Sequence, residues 1–161
     1  MNIEQKVNAI MRYIVAERQE EKEKAAEEIK AMIEPAEIGN QAKNIEDLIS
    51  EILVELGMPC HIKGYRYSAY AIKLATENSN ILDSVTGVLY PSVAEHHGTT
   101  ASRVERGIRH SIEVCWDRID INIMEKYFGN TVSPEKGKPT NAEFIARISN
   151  IVRRRIRNGE E

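Results

Sequence analysis

The 161-residue sequence is poor in aromatic side chains, has only two cysteines and lacks any long apolar run. No segment approaches the roughly 20 uninterrupted apolar residues that span a bilayer. The start, Met1-Asn2-Ile3-Glu4-Gln5-Lys6, lacks the basic opening and apolar stretch of a signal peptide. The expectation is a cytoplasmic protein with no membrane partner. Cys60 and Cys115 form no Cys-x-x-Cys pair, so zinc-ribbon spacing is missing, and both read as small buried hydrophobes in a reducing compartment. A Gly-rich phosphate loop, a nucleophile elbow and a His-Glu-x-x-His motif are also lacking. The chain is therefore not read as an enzyme and calls for no cofactor. Among the histidines, His61, His96, His97 and His110, the adjacent pair diverges around a helix. No carboxylate–His spacing accompanies them, so no metal site is expected.

What is present is charge, unevenly distributed. Residues 1–56 carry 7 Lys/Arg against 13 Asp/Glu, a net of −6, and residues 57–161 carry 15 against 12, a net of +3. Within residues 101–157 the balance is 12 against 7, a net of +5. Such asymmetry points to a C-terminal part that meets a polyanion and an N-terminal part that does not.

Apolar spacing indicates helices throughout and no strand alternation, so the fold class is all-α. Residues 2–33 show Ile3, Val7, Ile10 and Ile14 on one face, with Met11 and Val15 beside them. The stripe lapses over Glu17 to Lys24 and resumes with Ala25, Ile29, Met32 and Ile33. This is one long helix with a solvated middle, or two helices broken near residue 20. Pro35 disfavours helix just before it, and with Gly39 and Asn40 it marks residues 35–44 as a linker. The organisation expected is an acidic helical segment over 1–34, serving dimerisation or regulation, a linker over 35–44 and a bundle over 45–157. Helices are predicted from about Ile45 to Leu56, Gly64 to Thr76, Ile81 to Val88, Pro91 to His97, Thr99 to Trp116, Asp120 to Phe128, and from Thr140 onward. Leu48, Ile52, Leu53, Val104, Ile108, Ile112, Phe144 and Ile148 are core candidates.

Gly98 separates the helix opened by Pro91 from one opening Thr99-Thr100-Ala101-Ser102-Arg103. Two helices about a tight glycine turn form a helix-turn-helix pattern. With Val104, Ile108 and Ile112 inward, the other side presents Ser102, Arg103, Arg106, Arg109, His110 and Glu113. Arginine suits bidentate contact with guanine O6 and N7, and Glu105 suits cytosine N4. Lys136, Lys138 and the run Arg153-Arg154-Arg155 with Arg157 are candidate phosphate anchors.

His61-Ile62-Lys63-Gly64-Tyr65, Val88-Leu89-Tyr90-Pro91, Thr99 through Arg106, Ile108-Arg109-His110, Ile112-Glu113-Val114, and Lys138-Pro139-Thr140-Asn141 with Glu143-Phe144-Ile145-Ala146 recur in order. Together they resemble the C-terminal effector domain of the stage zero sporulation protein A family, over residues 45–157. The resemblance implies a six-helix bundle that binds a short guanine-containing box in double-stranded DNA and pairs head to tail, a homodimer on DNA. It implies base or backbone contacts for Arg103, Glu105, Arg106 and Arg157, and places His61 and Lys63 at the backbone. Ile123 to Val132 matches a surface that touches the sigma subunit of RNA polymerase, although Ile123-Met124-Glu125-Lys126-Tyr127 departs from the family's sequence there. The family's receiver domain exceeds a hundred residues, and about 44 acidic helical residues cannot form one. Control without a phosphoacceptor is therefore expected. The other reading is an interaction protein that pairs with or masks a full-length sporulation regulator.

Overall fold

The computed structural model describes residues 3–15, 23–24, 27–29, 35–129 and 137–159, with side chains of 13–15 and 35–44 left aside. The chain forms two compact units, Met1–Lys43 and Asn44–Glu161. Described residues contain helices and turns but no strand, as the all-α reading requires.

In the first unit, α1 spans Ile3–Val15. Arg12 pairs with Glu28 at 3.8 Å. A straight helix would separate these residues by about 24 Å, so residues 3–15 and 27–29 lie side by side rather than end to end. The expected lapse near residue 20 lies outside the described residues.

Helix α2 runs from Pro35 to Glu55. This corrects the linker over 35–44 and the predicted start at Ile45, because the backbone is helical throughout. A proline that stops one helix fits the first turn of the next, where its missing N–H has no intrahelical partner to lose. Gly39 in the interior costs only about 1 kcal/mol relative to alanine.

In the second unit, the end of α2 is followed by α3 (Lys63–Glu77), a 3-10 turn (Ser79–Ser84), a π turn (Val85–Leu89), α4 (Tyr90–His96), α5 (Ala101–Trp116), α6 (Ile121–Phe128) and α7 (Asn141–Asn158). This is a bundle of six α-helices with an irregular connector where one short helix was expected. Leu53, Ile72, Val104, Ile108, Phe144 and Ile148 are fully buried. Aromatics are few but concentrated: Trp116, Phe128 and Phe144 pack ring to ring, with centroids 5.1 and 5.7 Å apart, and fasten α5, α6 and α7 together.

Cys115 is buried, and its Sγ donates to the Leu56 carbonyl at 3.0 Å. Cys60 is exposed, contrary to expectation. It sits in the turn between α2 and α3, where no helical period carries every third or fourth residue inward.

Candidate nucleic-acid interface

The turn between α4 and α5 is built by glycine. The Thr99 N–H reaches the Ala94 carbonyl at 2.9 Å and the Gly98 N–H reaches Glu95 at 3.3 Å, with Gly98 at φ +60. This hydrogen-bond pair closes a helix with a left-handed residue, which glycine adopts without Cβ strain. Two residues on, Thr100 caps α5, its Oγ1 accepting from the Arg103 N–H at 3.4 Å. Cap and turn together fix where the second helix begins, and so which of its residues lead.

Along α5, Val104, Ile108, Ser111, Ile112 and Cys115 are buried. At 100° per residue these five cluster on one side, which places Ser102, Arg103, Arg106, Arg109 and His110 opposite. All five of the latter are exposed. Among the described residues, Arg103 and Arg106 carry no ion pair, so their guanidinium donors remain available. Glu105 is half-buried, and its carboxylate is held by Arg109 one turn on. The two side chains therefore present a neutralised pair at the edge of the basic face.

On one flank, α3 crosses α5 at glycine. A Cβ on Gly64 would lie 2.0 Å from the Gly107 carbonyl oxygen, and one on Gly107 would lie 2.8 Å from the Tyr67 ring. Ser68 and Ser111 meet one turn deeper, Oγ to Oγ at 3.3 Å. The close crossing brings the start of α3, with exposed Lys63 and His61 just before it, beside the middle of the exposed face of α5.

The other flank is made by the start of α7. Buried Asn141 donates through Nδ2 to the Glu105 carbonyl at 3.0 Å and to Tyr90 Oη at 3.1 Å, joining α4, α5 and α7. Thr140 and Glu143 form a reciprocal capping box there. Lys138 lies just upstream, its Nζ 3.4 Å from Glu113 of α5.

The structure thus gathers Ser102, Arg103, Glu105, Arg106, Arg109 and His110 on one helix, with His61, Lys63 and Lys138 around it. Lys136 lies outside the described residues. Arg154 and Arg157 are exposed but stand apart, about 20 Å or more along α7 from Asn141 at 1.5 Å per residue. Arg154 instead lines a depression of about 230 Å³ with Lys126, Tyr127 and Arg147. Neighbouring arginines are occupied: Arg153 donates to Asn150 at 2.6 Å and Arg155 to Tyr127 Oη at 3.2 Å. Tyr127 also binds Glu55, whose carboxyl is held below its ordinary value first by the hydrogen bond from Lys126 and then by that from Tyr127. This part of the arginine run braces α6 against α2 and α7.

Sequence reasoning passed over Asn141 as a clamp and Gly107 as a crossing point. A glycine inside an otherwise strong helical pattern was the available signal for the second.

Among the described residues no cluster of three or more His, Cys, Asp or Glu is placed to hold an ion. His96 stacks on Tyr70 with centroids 3.8 Å apart, and His97 packs edge-on to Tyr67 at 5.1 Å. No helix among the described residues is long and apolar enough to cross a membrane.

Residues 49–152 match the family described as sporulation initiation factor Spo0A C terminal. The match covers well over half of the chain and includes the whole helix-turn-helix, so this chain belongs to that family of DNA-binding domains of sporulation transcription factors.

Proposed function

We propose that the chain is a sequence-specific regulator of transcription that inserts α5 into the major groove and reads base edges with Arg103 and Arg106. The observation that carries this reading is the exposed guanidinium pair in the first two turns of α5, with no ion pair among the described residues, above a fully buried apolar face. Recognition helices present their first turns to base edges, and arginine is the side chain suited to guanine there. Glu105 enters the groove already paired to Arg109, so its use at cytosine N4 requires that pair to open or to be shared. Ser102, His110, His61, Lys63 and Lys138 surround these readers as backbone contacts, which position the helix without selecting sequence. Arg154 and Arg157 serve a more distant stretch of backbone, as does Lys136 in this reading.

Two copies occupy neighbouring boxes, and the exposed side of α6, with Ile121 and Glu125 outward, is the surface offered to the sigma subunit. The protein acts in the cytoplasm. Aspartate phosphorylation within the first unit has no part in control: the first aspartate of the chain is Asp47.

Selection of bound duplexes from a random pool tests the reading, using the wild type, Arg106→Ala and Lys138→Ala. Arg106→Ala should relax preference at one base pair by about 1–3 kcal/mol. Lys138→Ala should weaken all sequences alike and lower the salt slope by about one. An unchanged preference in Arg106→Ala removes that residue from base reading.

A further inference from the structure

Helix α7 divides its arginines between two faces. At 100° per residue, Arg147, Ile151, Arg154, Arg155 and Asn158 fall within an arc of about 100°, and Arg153 lies on the opposite side. With Lys126 and Tyr127 of α6, this arc encloses the depression of about 230 Å³. Two of its guanidinium groups are already fixed. Arg147 Nε donates to the Tyr127 carbonyl at 2.5 Å, and Arg155 donates to Tyr127 Oη at 3.2 Å. Both arginines are half-buried. The bond from Arg147 spends one of the five N–H donors of a guanidinium, and its terminal nitrogens have no hydrogen bond among the described residues. Exposed Arg154 has no hydrogen bond or ion pair among them. Lys126 is paired with Glu55 at 2.5 Å, but Glu55 does not line the depression. Its walls therefore carry four cations and no carboxylate. A cleft lined by charge of one sign focuses its field and concentrates counter-ions.

From this geometry we infer that the depression between α6 and α7 is a binding site for a small, multiply charged phosphoryl anion, a phosphomonoester or a diphosphate, held by Arg147, Arg154 and Arg155. The size sets the class of ligand. The volume lies below the roughly 300–1,000 Å³ of pockets for drug-sized molecules, so the phosphoryl group enters without a large appendage. The donors set its charge. A lone carboxylate offers two oxygens and one charge, which a single arginine fork satisfies. Three guanidinium groups with donors to spare, beside the Asn158 amide at the rim, match a group with more oxygens and more charge. Ile151 and the Tyr127 ring form an apolar floor between these donors, which strengthens each charge-assisted bond made above it. The duplex backbone offers the same chemistry in singly charged diesters, and Arg154 cannot hold both at once. The free anion is the better match because it brings at least two charges to one concave seat, whereas diesters spread theirs along a strand.

The test is an NMR titration of the full chain with inorganic pyrophosphate at constant ionic strength, for wild type, Arg147→Gln, Arg154→Gln and Arg118→Gln. Arg118 is exposed and lies outside the depression, so it controls for loss of one positive charge. Pyrophosphate should saturate the wild type and shift the side-chain N–H signals of Arg147 and Arg155. Arg147→Gln and Arg154→Gln should each weaken it roughly tenfold, the loss of one charge-assisted hydrogen bond, and Arg118→Gln should leave it unchanged. Succinate, a dianion without phosphoryl oxygens, should bind at least about tenfold more weakly than pyrophosphate. Urea transitions confirm folding, and Arg154→Gln alone decides if Arg147→Gln unfolds. A wild type that does not bind pyrophosphate overturns the inference. Equal weakening in Arg118→Gln, or succinate bound as tightly as pyrophosphate, reduces the site to general attraction and overturns it too. Binding to a duplex without a box separates the two sources. If Arg154→Gln weakens that duplex and leaves pyrophosphate untouched, the seat belongs to the backbone and the inference is wrong. The titration contains no DNA, so the base-reading assignment stands or falls separately.

Discussion

The side-chain amide of Asn141 donates one hydrogen to the main-chain oxygen of Glu105, at 3.0 Å, and its other to Tyr90 Oη. Both amide hydrogens are spent, and each ends on a different helix of the helix-turn-helix. The angle at which α5 leaves the bundle is therefore set partly from outside the motif, by the first residue of α7. Replacing Asn141 with alanine removes both bonds and strands a buried tyrosine hydroxyl, a loss of about 1–3 kcal/mol. Asn141→Asp should cost more than Asn141→Ala, because a carboxylate then faces a carbonyl oxygen. Urea unfolding of the three proteins ranks them. Equal midpoints for Asn141→Ala and wild type would show that the clamp holds nothing.

The crossing of α3 and α5 yields a graded pair of substitutions. Gly64→Ala places a methyl 2.0 Å from the Gly107 carbonyl oxygen, a backbone atom that cannot rotate away. The helices must separate, and overpacking of this kind costs about 1–3 kcal/mol or more. Gly107→Ala meets the edge of the Tyr67 ring at 2.8 Å, and a ring can tilt. Alanine also gains about 1 kcal/mol of helix propensity over glycine there. Melting temperatures should therefore fall clearly for Gly64→Ala and little for Gly107→Ala. The reverse order would mean that the crossing is looser than the structure shows.

Periodicity carried the sequence reading well within helices and poorly between them. Val104, Ile108, Ile112 and Cys115 recur at helical spacing and are all buried, so the opposite, arginine-bearing side followed by subtraction. The identity of the turn followed from Gly98 alone. What stayed hidden depends on pairings far apart in the chain. Asn141 meets Glu105 across 36 residues, and nothing around Asn141 distinguishes a cap from a clamp. Gly107 looks like a weakness in α5 until Gly64 is placed against it. Arg153 to Arg155 show by spacing that they cannot all face one way, yet only the position of Tyr127 decides that Arg155 braces the fold. Pro35 leads the sequence reading to a linker, yet proline also fits the first turn of a helix, and α2 begins there.

The two thiols should react very differently. Burial pushes the Cys115 thiol up to about 11, and its Sγ is engaged with the Leu56 carbonyl, so thiolate is scarce near neutral pH and access is closed. Cys60 is exposed. At about pH 7.5 a maleimide should add once to the native protein and a second time only in denaturant. Mass spectrometry should place the first adduct on Cys60, and Cys60→Ser should leave the native protein unlabelled. Rapid double labelling without denaturant would show that α2 and α5 part readily at Leu56.

His97 sets a pH dependence of stability. Its imidazole is held below the usual 6.5, first by burial, then by repulsion from His96 and Arg66. Its Nε2 is buried and lacks a hydrogen-bond partner among the described residues. Tyr67 and Tyr70 pack against it, and Glu46 and Lys73 line the same cleft. Because the folded value is depressed, the unfolded chain takes up the proton first as pH falls. The contribution of His97 is therefore complete above the unfolded value and is lost progressively as pH drops through 6.5 toward the folded value. The melting temperature should decline between about pH 7.5 and 5.5, before most carboxylates titrate. His97→Gln keeps a polar group of similar reach but cannot titrate, so its curve over that window should be flatter, even if its midpoint at pH 7.5 is lower. A wild-type curve no steeper than that of His97→Gln would place the proton-linked step elsewhere.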